Sequence, residues 1–309
     1  MKDRTPTARV DQDLCVGCEL CLATCPDRTF SMDQGKARVT GDRCLACEHC
    51  VAVCPTGAVT LGAAEPHALD FTTFTPINEW LPPGDYDLPG LVALMRSRRS
   101  CRNYLPDPVP RDQLEDLVKI GTTAPSGTNS QLWTFTILPD RQAVTALGDR
   151  IGVFFRKLNA MARKAWLRKL TKLLGKGELD QYYREHYQSV SEAMEQWETQ
   201  GIDRLFHGAP AAMVVGSRPG ASCPAEDALL ASGQILLAAH AMGLGTCLIG
   251  YAVEAMDYDP GIKDFLGIPK SEAVHAVIVL GYPDEKYQRL TGRRQVTPRY
   301  FHPAPQESP

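Results

Sequence analysis

Eight of the eleven cysteines fall between Cys15 and Cys54, in two runs that repeat each other. Asp13 to Pro26 reads D-L-C-V-G-C-E-L-C-L-A-T-C-P and Asp42 to Pro55 reads D-R-C-L-A-C-E-H-C-V-A-V-C-P, 29 residues later. Each copy is C-x2-C-x2-C-x3-C-P. Three thiolates two residues apart wrap one side of a compact cubane iron–sulfur cluster, and a fourth must come from elsewhere in the chain. Structural zinc also uses C-x2-C pairs, but it gives no reason for a third cysteine at the same spacing or for a fourth before proline.

This is the spacing of bacterial two-cluster runs, in which the fourth cysteine of each run ligates the other cluster. One cluster is therefore expected on Cys15, Cys18, Cys21 and Cys54, and the other on Cys44, Cys47, Cys50 and Cys25. Residues 1–64 resemble a two-[4Fe-4S] bacterial ferredoxin, including the Cys-Pro after each run and a short apolar strand after each (30–32 and 58–61). A unit of this size buries a poor fraction of its surface, so the clusters should serve as much of its core, and loss of iron should unfold it. The three remaining cysteines, Cys101, Cys223 and Cys247, are scattered. Cys101 and Cys247 read as small buried hydrophobes.

Further along, Arg96-Ser-Arg-Arg-Ser-Cys-Arg102 places four arginines in seven residues, with no acid from Arg96 to Pro106. Planar guanidinium groups match phosphate oxygens. A solvated basic turn is the other reading of these residues alone. The polar stretch Ala124-Pro-Ser-Gly-Thr-Asn-Ser-Gln-Leu-Trp133 runs into a predicted strand, where ligand-reading side chains are commonly held. Asn129 and Gln131 there offer amide donors and acceptors suited to a flavin edge.

Together these segments resemble the FMN-dependent nitroreductase family from about Leu91 onward. The resemblance implies FMN phosphate binding by Arg98, Arg99, Ser100 and Arg102. It implies ring contacts from Pro125, Ser126, Gly127, Asn129 and Gln131, and a backbone passing near N5 at Leu248, Ile249 and Gly250. A late basic residue on the phosphate matches Arg293. Two departures stand out: Leu132 replaces the proline of the family loop, and Thr291 stands where many members carry a second basic residue. The resemblance also implies a homodimer with FMN between subunits, some contacts coming from the partner chain.

The elements that must position these groups follow from periodicity. Predicted helices (88–96, 111–120, 142–174, 178–199, 225–242) alternate with strands (132–138, 211–216, 246–251, 273–281). The expected fold class is α+β: a helix-covered mixed sheet in three layers, preceded by the small ferredoxin-like domain. The domains expected are 1–64, a proline-rich linker over 65–90, and a flavin domain over 91–309. The linker contains Pro66, Pro76, Pro82, Pro83 and Pro89, and Phe71, Phe74, Ile77, Trp80 and Leu81 should seek burial against the second domain.

A net charge of −3 offers no basic field for nucleic acid. The uncharged stretch 228–253 is long enough to span a bilayer, but Gly243 and Gly245 break it and Ser232, Gln234 and His240 interrupt it, so a buried helix, a turn and a strand are expected. The first ten residues have no apolar stretch, and dense reduced thiols fit the cytoplasm. Residues 150–176 carry nine basic residues and no acid, which reads as the solvated face of an amphipathic helix or as an attractant for an acidic partner. Gly243-Leu-Gly245 lacks the third glycine of a dinucleotide fingerprint and follows a helix instead of opening one. His207 and His240 read as core or supporting histidines, and no proton donor stands out.

The expected activity is one in which the clusters feed single electrons to FMN, from an external ferredoxin or other redox protein, and FMN reduces a small electrophile: a nitro compound, quinone or activated alkene. The alternative is an adaptor whose flavin relays electrons to a partner protein.

Overall fold

The computed structural model describes residues 4–62, 65 and 67–302. Pro66 and the expected domain boundary at residue 64 lie outside the described residues, as does 303–309.

The N-terminal unit is built from two short antiparallel strand pairs and two short helices. β1 (Ala8–Val10) is followed by α1 (Leu20–Thr24), β2 (Phe30–Asp33), β3 (Lys36–Val39), α2 (His49–Ala52) and β4 (Val59–Leu61). β1 pairs antiparallel with β4, closing the ends of the unit, and β2 pairs with β3. Its core is small: Ala8, Phe30, Ala37 and Val59 are buried together with Cys21 and Cys50. Few apolar side chains are available here, as the length argument requires.

The larger unit holds α3 (Leu88–Ser97), α4 (Arg111–Gly121), β5 (Trp133–Leu138), α5 (Arg141–Ala162), α6 (Ala165–Leu173), α7 (Glu178–Glu185), α8 (Tyr187–Gln200), β6 (Ala211–Ser217), α9 (Pro224–Ala241), β7 (Gly245–Leu248), α10 (Gly250–Tyr258), α11 (Pro260–Phe265) and β8 (Ala273–Gly281). The sheet order is β5-β6-β8-β7, with each neighbouring pair antiparallel. A parallel bridge from Ser100 to Thr246 extends the β7 edge and makes the sheet mixed.

The central strand explains the three layers. Every residue of β6 is buried, but Ala212 and Val214 face a core with Val144, Leu147 and Ile151 of α5 and Ala252 and Met256 of α10. Ala211, Met213 and Val215 face a second core with Leu114 and Leu117 of α4 and Ile235 of α9. The period of two sends alternate side chains to opposite faces, and each face needs its own helices.

Three expected elements differ. The predicted helix 142–174 is two helices that separate at Arg163 and Lys164, and 178–199 separates at His186. The predicted strand 246–251 ends at Leu248, because α10 starts at Gly250. The uncharged stretch forms α9, a turn at Gly243 with φ +82°, and β7. Among the described residues no helix is long and apolar enough to cross a membrane.

The linker is anchored on α4. Buried Asp116 of α4 accepts from the Thr72 N–H (2.9 Å), the Thr73 N–H (2.7 Å) and the Thr73 hydroxyl (2.7 Å), and it pairs with Lys119 at 2.9 Å. Burial alone would raise its pKa, but the Lys119 ammonium and the Thr73 and Thr72 donors outweigh burial and hold it at about 2. Beyond the anchor the expected burial fails: Ile77 and Trp80 are 78% and 81% exposed, and Leu81 is also exposed. The basic 150–176 face is only partly solvated. Arg168 lies over the Tyr183 ring at 3.7 Å and, with Lys172 and Arg184, surrounds Asp180.

Candidate functional site

The thiols of the N-terminal unit ring two small enclosed cavities. Cys15, Cys18, Cys21 and Cys54 line one with Val10 and Ala37; Cys25, Cys44, Cys47 and Cys50 line the other with Phe30 and Leu61. Among the described residues no three Cys, His, Asp or Glu side chains converge as a single metal ion requires. Burial raises the Cys50 thiol to about 11, and neighbouring Cys44, Cys47 and Cys25 push it the same way. The Thr29 and Ala46 N–H groups donate to the sulfurs of Cys25 (3.4 Å) and Cys44 (3.3 Å). Thiols gathered in fours around two enclosed cavities, with amide donors to sulfur, are the donor set an iron–sulfur cluster takes.

In the larger unit, the arginine segment is fixed along β7. Ser100 bridges Thr246, and the Cys101 N–H donates to the Thr246 carbonyl at 2.9 Å. The approach is close enough that a Cβ on Gly245 would lie 2.7 Å from that of Cys101, so glycine is required there. Glu285 locks the segment from the other side, accepting from the Arg102 N–H (3.2 Å), the Asn103 amide (2.9 Å) and the Cys101 thiol (3.0 Å). Burial and then Glu285 push that thiol up to about 12. Cys101 is thus buried as expected, but as a hydrogen-bond donor and not as a plain hydrophobe. Among the described residues neither Arg98 nor Arg102 pairs with a carboxylate, which leaves both guanidinium groups for an anionic ligand. Arg99 donates to the Thr291 hydroxyl at 2.7 Å. The structure therefore brings Thr291 to the arginine segment, while Arg293 is exposed and donates to the adjacent Gly292 carbonyl.

The polar loop before β5 is strained and well held. Thr128, Asn129 and Gln131 all have positive φ near +50°, a region costly for residues with a Cβ and met chiefly at functional sites. Asp227, in the first turn of α9 and almost fully buried, sustains it by accepting from the Gly127 N–H (2.8 Å) and the Ser130 hydroxyl (3.1 Å). The Gln131 amide donates to Asn129 Oδ1 at 3.0 Å, and Asn129 Nδ2 donates to the Ala46 carbonyl, inside the second cysteine run, at 2.5 Å.

Leu248, Ile249 and Gly250 line a cavity of about 1100 Å3 together with Arg102. Leu248 is half exposed to it. Its other walls come from residues that no local motif marks: Glu178, Tyr182 and His186 from α7 and its end, and Arg204, His207, Tyr251 and Glu254. Tyr182 donates to Asn159 at 2.7 Å, and the Tyr251 hydroxyl meets His186 Nδ1 at 3.2 Å. Burial, and then the Arg102 charge, lower the pKa of His207. Pro125, Ser126, Gly127, Asn129 and Gln131 do not reach this cavity: they stand at the β5 edge, the opposite side of the sheet.

The model of the nitroreductase family matches residues 95–282, most of the chain, and that of a 4Fe-4S dicluster domain matches residues 8–61. This chain belongs to the nitroreductase family. Its nitroreductase domain is preceded by a 4Fe-4S dicluster domain, as the cysteine runs imply. A 4-nitrobenzoate reductase of Nocardioides sp. (strain LMS-CY) is 28% identical over 214 residues, covering 63% of this chain and 81% of that protein. An iodotyrosine deiodinase of Thermotoga neapolitana is 23% identical over 218 residues, covering 68% and 97%. A solved nitroreductase of Bacteroides fragilis with bound FMN aligns at 22% identity with a TM-score of 0.49, covering 67% of this chain and 94% of that one.

Proposed function

We propose that this nitroreductase is an FMN-dependent, ferredoxin-linked reductase in which two [4Fe-4S] clusters supply electrons for the two-electron reduction of a small electrophile, of which a nitroaromatic is the first to test. The observation that carries the reading is the hydrogen bond from Asn129 to Ala46, which puts the second cysteine run against the loop expected to read the flavin. The nitrobenzoate reductase among the relatives supports a nitro substrate, and an open cavity of about 1100 Å3 supports a small-molecule acceptor over a pure relay.

The eight cysteines would hold the clusters as Cys15, Cys18, Cys21, Cys54 and Cys44, Cys47, Cys50, Cys25, the grouping around the two cavities. Arg98 and Arg102, free of carboxylate partners among the described residues, would hold the FMN phosphate, with Ser100 and Arg99 beside them. FMN, when bound, accepts electrons singly and delivers a hydride from N5. Leu248, Ile249 and Gly250 would lie along the ring and exclude water from it. Asn129 and Gln131 would present amides to a ring edge. His207, kept neutral by burial and by Arg102, stands in the cavity as a group able to pass a proton. Arg102 and Arg204 give the cavity a cationic side that favours negative charge developing on a reduced flavin or substrate.

A homodimer is part of the reading. Among the exposed apolar residues, those on the linker and α3 (Trp80, Leu88, Met95) and on the C-terminal stretch (Leu290, Val296, Phe301) are the ones such an interface would cover.

The test is anaerobic stopped-flow mixing of holoprotein with a reduced one-electron iron–sulfur protein and, separately, with NAD(P)H, followed by a panel of nitro compounds, quinones and activated alkenes. Rapid flavin bleaching by the iron–sulfur donor, lost in Cys47→Ala, is expected. Equally fast bleaching by NAD(P)H in that variant would break the proposed route.

A further inference from the structure

We infer that each dicluster domain delivers its electrons to the flavin held by the opposite subunit, so that the wiring crosses the dimer interface. The inference rests on the flavin and dimer reading above and starts from a mismatch within one chain. The second cysteine run docks on the Asn129 loop through Ala46, and that loop leads into β5, one edge of the sheet. The arginine segment is bound along β7, the other edge, through Ser100 and Thr246.

Register fixes the separation. Leu248 is level with Ile278 on β8, which is level with Met213 on β6 and so with Ile137 on β5. Trp133, where the loop enters β5, is thus three strand spacings across and four residues along from Leu248, roughly 20 Å at standard sheet dimensions. The arginines lie farther out still, beyond β7. A buried sheet with a packed core on each face fills the space between.

One flavin cannot touch the Asn129 loop and the arginine cradle of the same chain at that separation. If both sets of residues serve one flavin, they come from two chains, and the cluster on Cys25, Cys44, Cys47 and Cys50 travels with the loop. Electron transfer falls steeply with distance, so the path from this cluster through Ala46 and Asn129 leads to the partner's cradle in preference to its own. Each transfer moves one electron from a reduced cluster, which returns to its oxidised state. Two transfers and one proton from solvent complete the reduction of one flavin, with a reduced iron–sulfur protein, or dithionite in the test, as the electron source.

The experiment is complementation in a heterodimer. One chain carries Cys47→Ala and keeps its arginines; the other carries Arg98→Ala and Arg102→Ala and keeps its clusters. The two are co-expressed with different tags and purified in tandem, and iron and flavin are counted before flavin bleaching is followed anaerobically. The cluster-deficient homodimer should hold flavin but bleach at least 100-fold more slowly than wild type with a protein donor. The heterodimer should hold one flavin and bleach it within about threefold of the wild-type rate. Bleaching as slow as in the cluster-deficient homodimer would mean wiring within one chain and would overturn the inference, while leaving the reductase reading intact. Full flavin content in the arginine-deficient homodimer would instead overturn the cradle itself, and with it the premise. Should Cys47→Ala strip the flavin, Cys44→Ser makes the same comparison.

Discussion

The Asn129 side chain donates to the Ala46 carbonyl at 2.5 Å, across 83 positions of sequence. Both residues have positive φ, +51° and +54°, so each loop is held in an uncommon conformation where they meet. Ala46 also donates its N–H to Cys44 Sγ, which makes one peptide's length of chain the connection between a proposed cluster ligand and the loop proposed to read the flavin. Asn129→Leu keeps the volume and removes the donor. A single bond of this kind contributes about 0.5–1.5 kcal/mol, so amide exchange in residues 42–50 should rise about 2- to 10-fold with iron content unchanged. Unchanged exchange would show that the two domains are held together elsewhere.

Iron removal should act on one domain and spare the other. Five aliphatic or aromatic side chains and two cysteines are the buried apolar residues of 8–61, whereas the nitroreductase domain has two packed cores of its own. Anaerobic chelation of the full chain is expected to abolish exchange protection in 8–61 and to leave that of β6 and β8 in place. Retained protection in 8–61 without iron would mean that the clusters are passengers there.

The linker anchor makes a prediction with a sign. Asp116 is held at about 2, below its ordinary 3.8. A carboxylate with a depressed folded pKa contributes stability that is fully present above its unfolded value and is lost as pH falls through the folded one. Its contribution, on the order of 2 kcal/mol, is therefore constant at neutral pH and disappears between about pH 4 and pH 2. Asp116→Asn should release Thr72 and Thr73 and speed proteolysis of residues 67–90 at pH 7, where the native anchor is intact. An unaltered cleavage rate would remove the anchor from the account.

How much was legible beforehand follows from how far apart cooperating residues lie in the chain. The cysteine runs, the arginine segment and the Asn129 loop are local, and local spacing carries their chemistry. The order of helices and strands was legible too, because two periods, 2 and 3.6, alternate along 111–281. Asp116, Asp227 and Glu285 were not. Each is the second of two adjacent acids in an ordinary helix or loop, and each acts on backbone N–H groups 43 to 183 positions away, a relation that no single window contains. The cavity walls at Tyr182 and His186 escaped for the same reason, and His207, read as a core or supporting histidine, lines the same cavity. The breaks at Lys164 and His186 escaped because neither is a glycine or proline, so composition gave no punctuation.

The three cysteines outside the two runs should separate cleanly by reactivity. Cys101 is 2% exposed, with its thiol raised to about 12, and Cys247 is buried in β7. Cys223 caps α9 and is exposed. Thiolate and access are both required for alkylation, so iodoacetamide at pH 7.5 on iron-loaded protein should modify Cys223 and leave Cys101 and Cys247 untouched by mass spectrometry.

Flavin affinity should expose the division of labour around the arginines. Among the described residues Arg98 and Arg102 have no carboxylate partner, and a charge-assisted bond to phosphate contributes about 1.5–3 kcal/mol. Either Arg→Ala change should therefore weaken FMN binding by roughly 10- to 150-fold, read by fluorescence titration of deflavinated protein. Glu285→Gln touches no ligand group. It removes the charge that draws the Arg102 and Cys101 donors together, so it should weaken FMN less than either arginine change and lower the Cys101 thiol pKa, making that thiol alkylate faster in basic solution. A loss of affinity as large as that of Arg102→Ala, with Cys101 still inert, would place Glu285 on the ligand and not behind the segment that holds it.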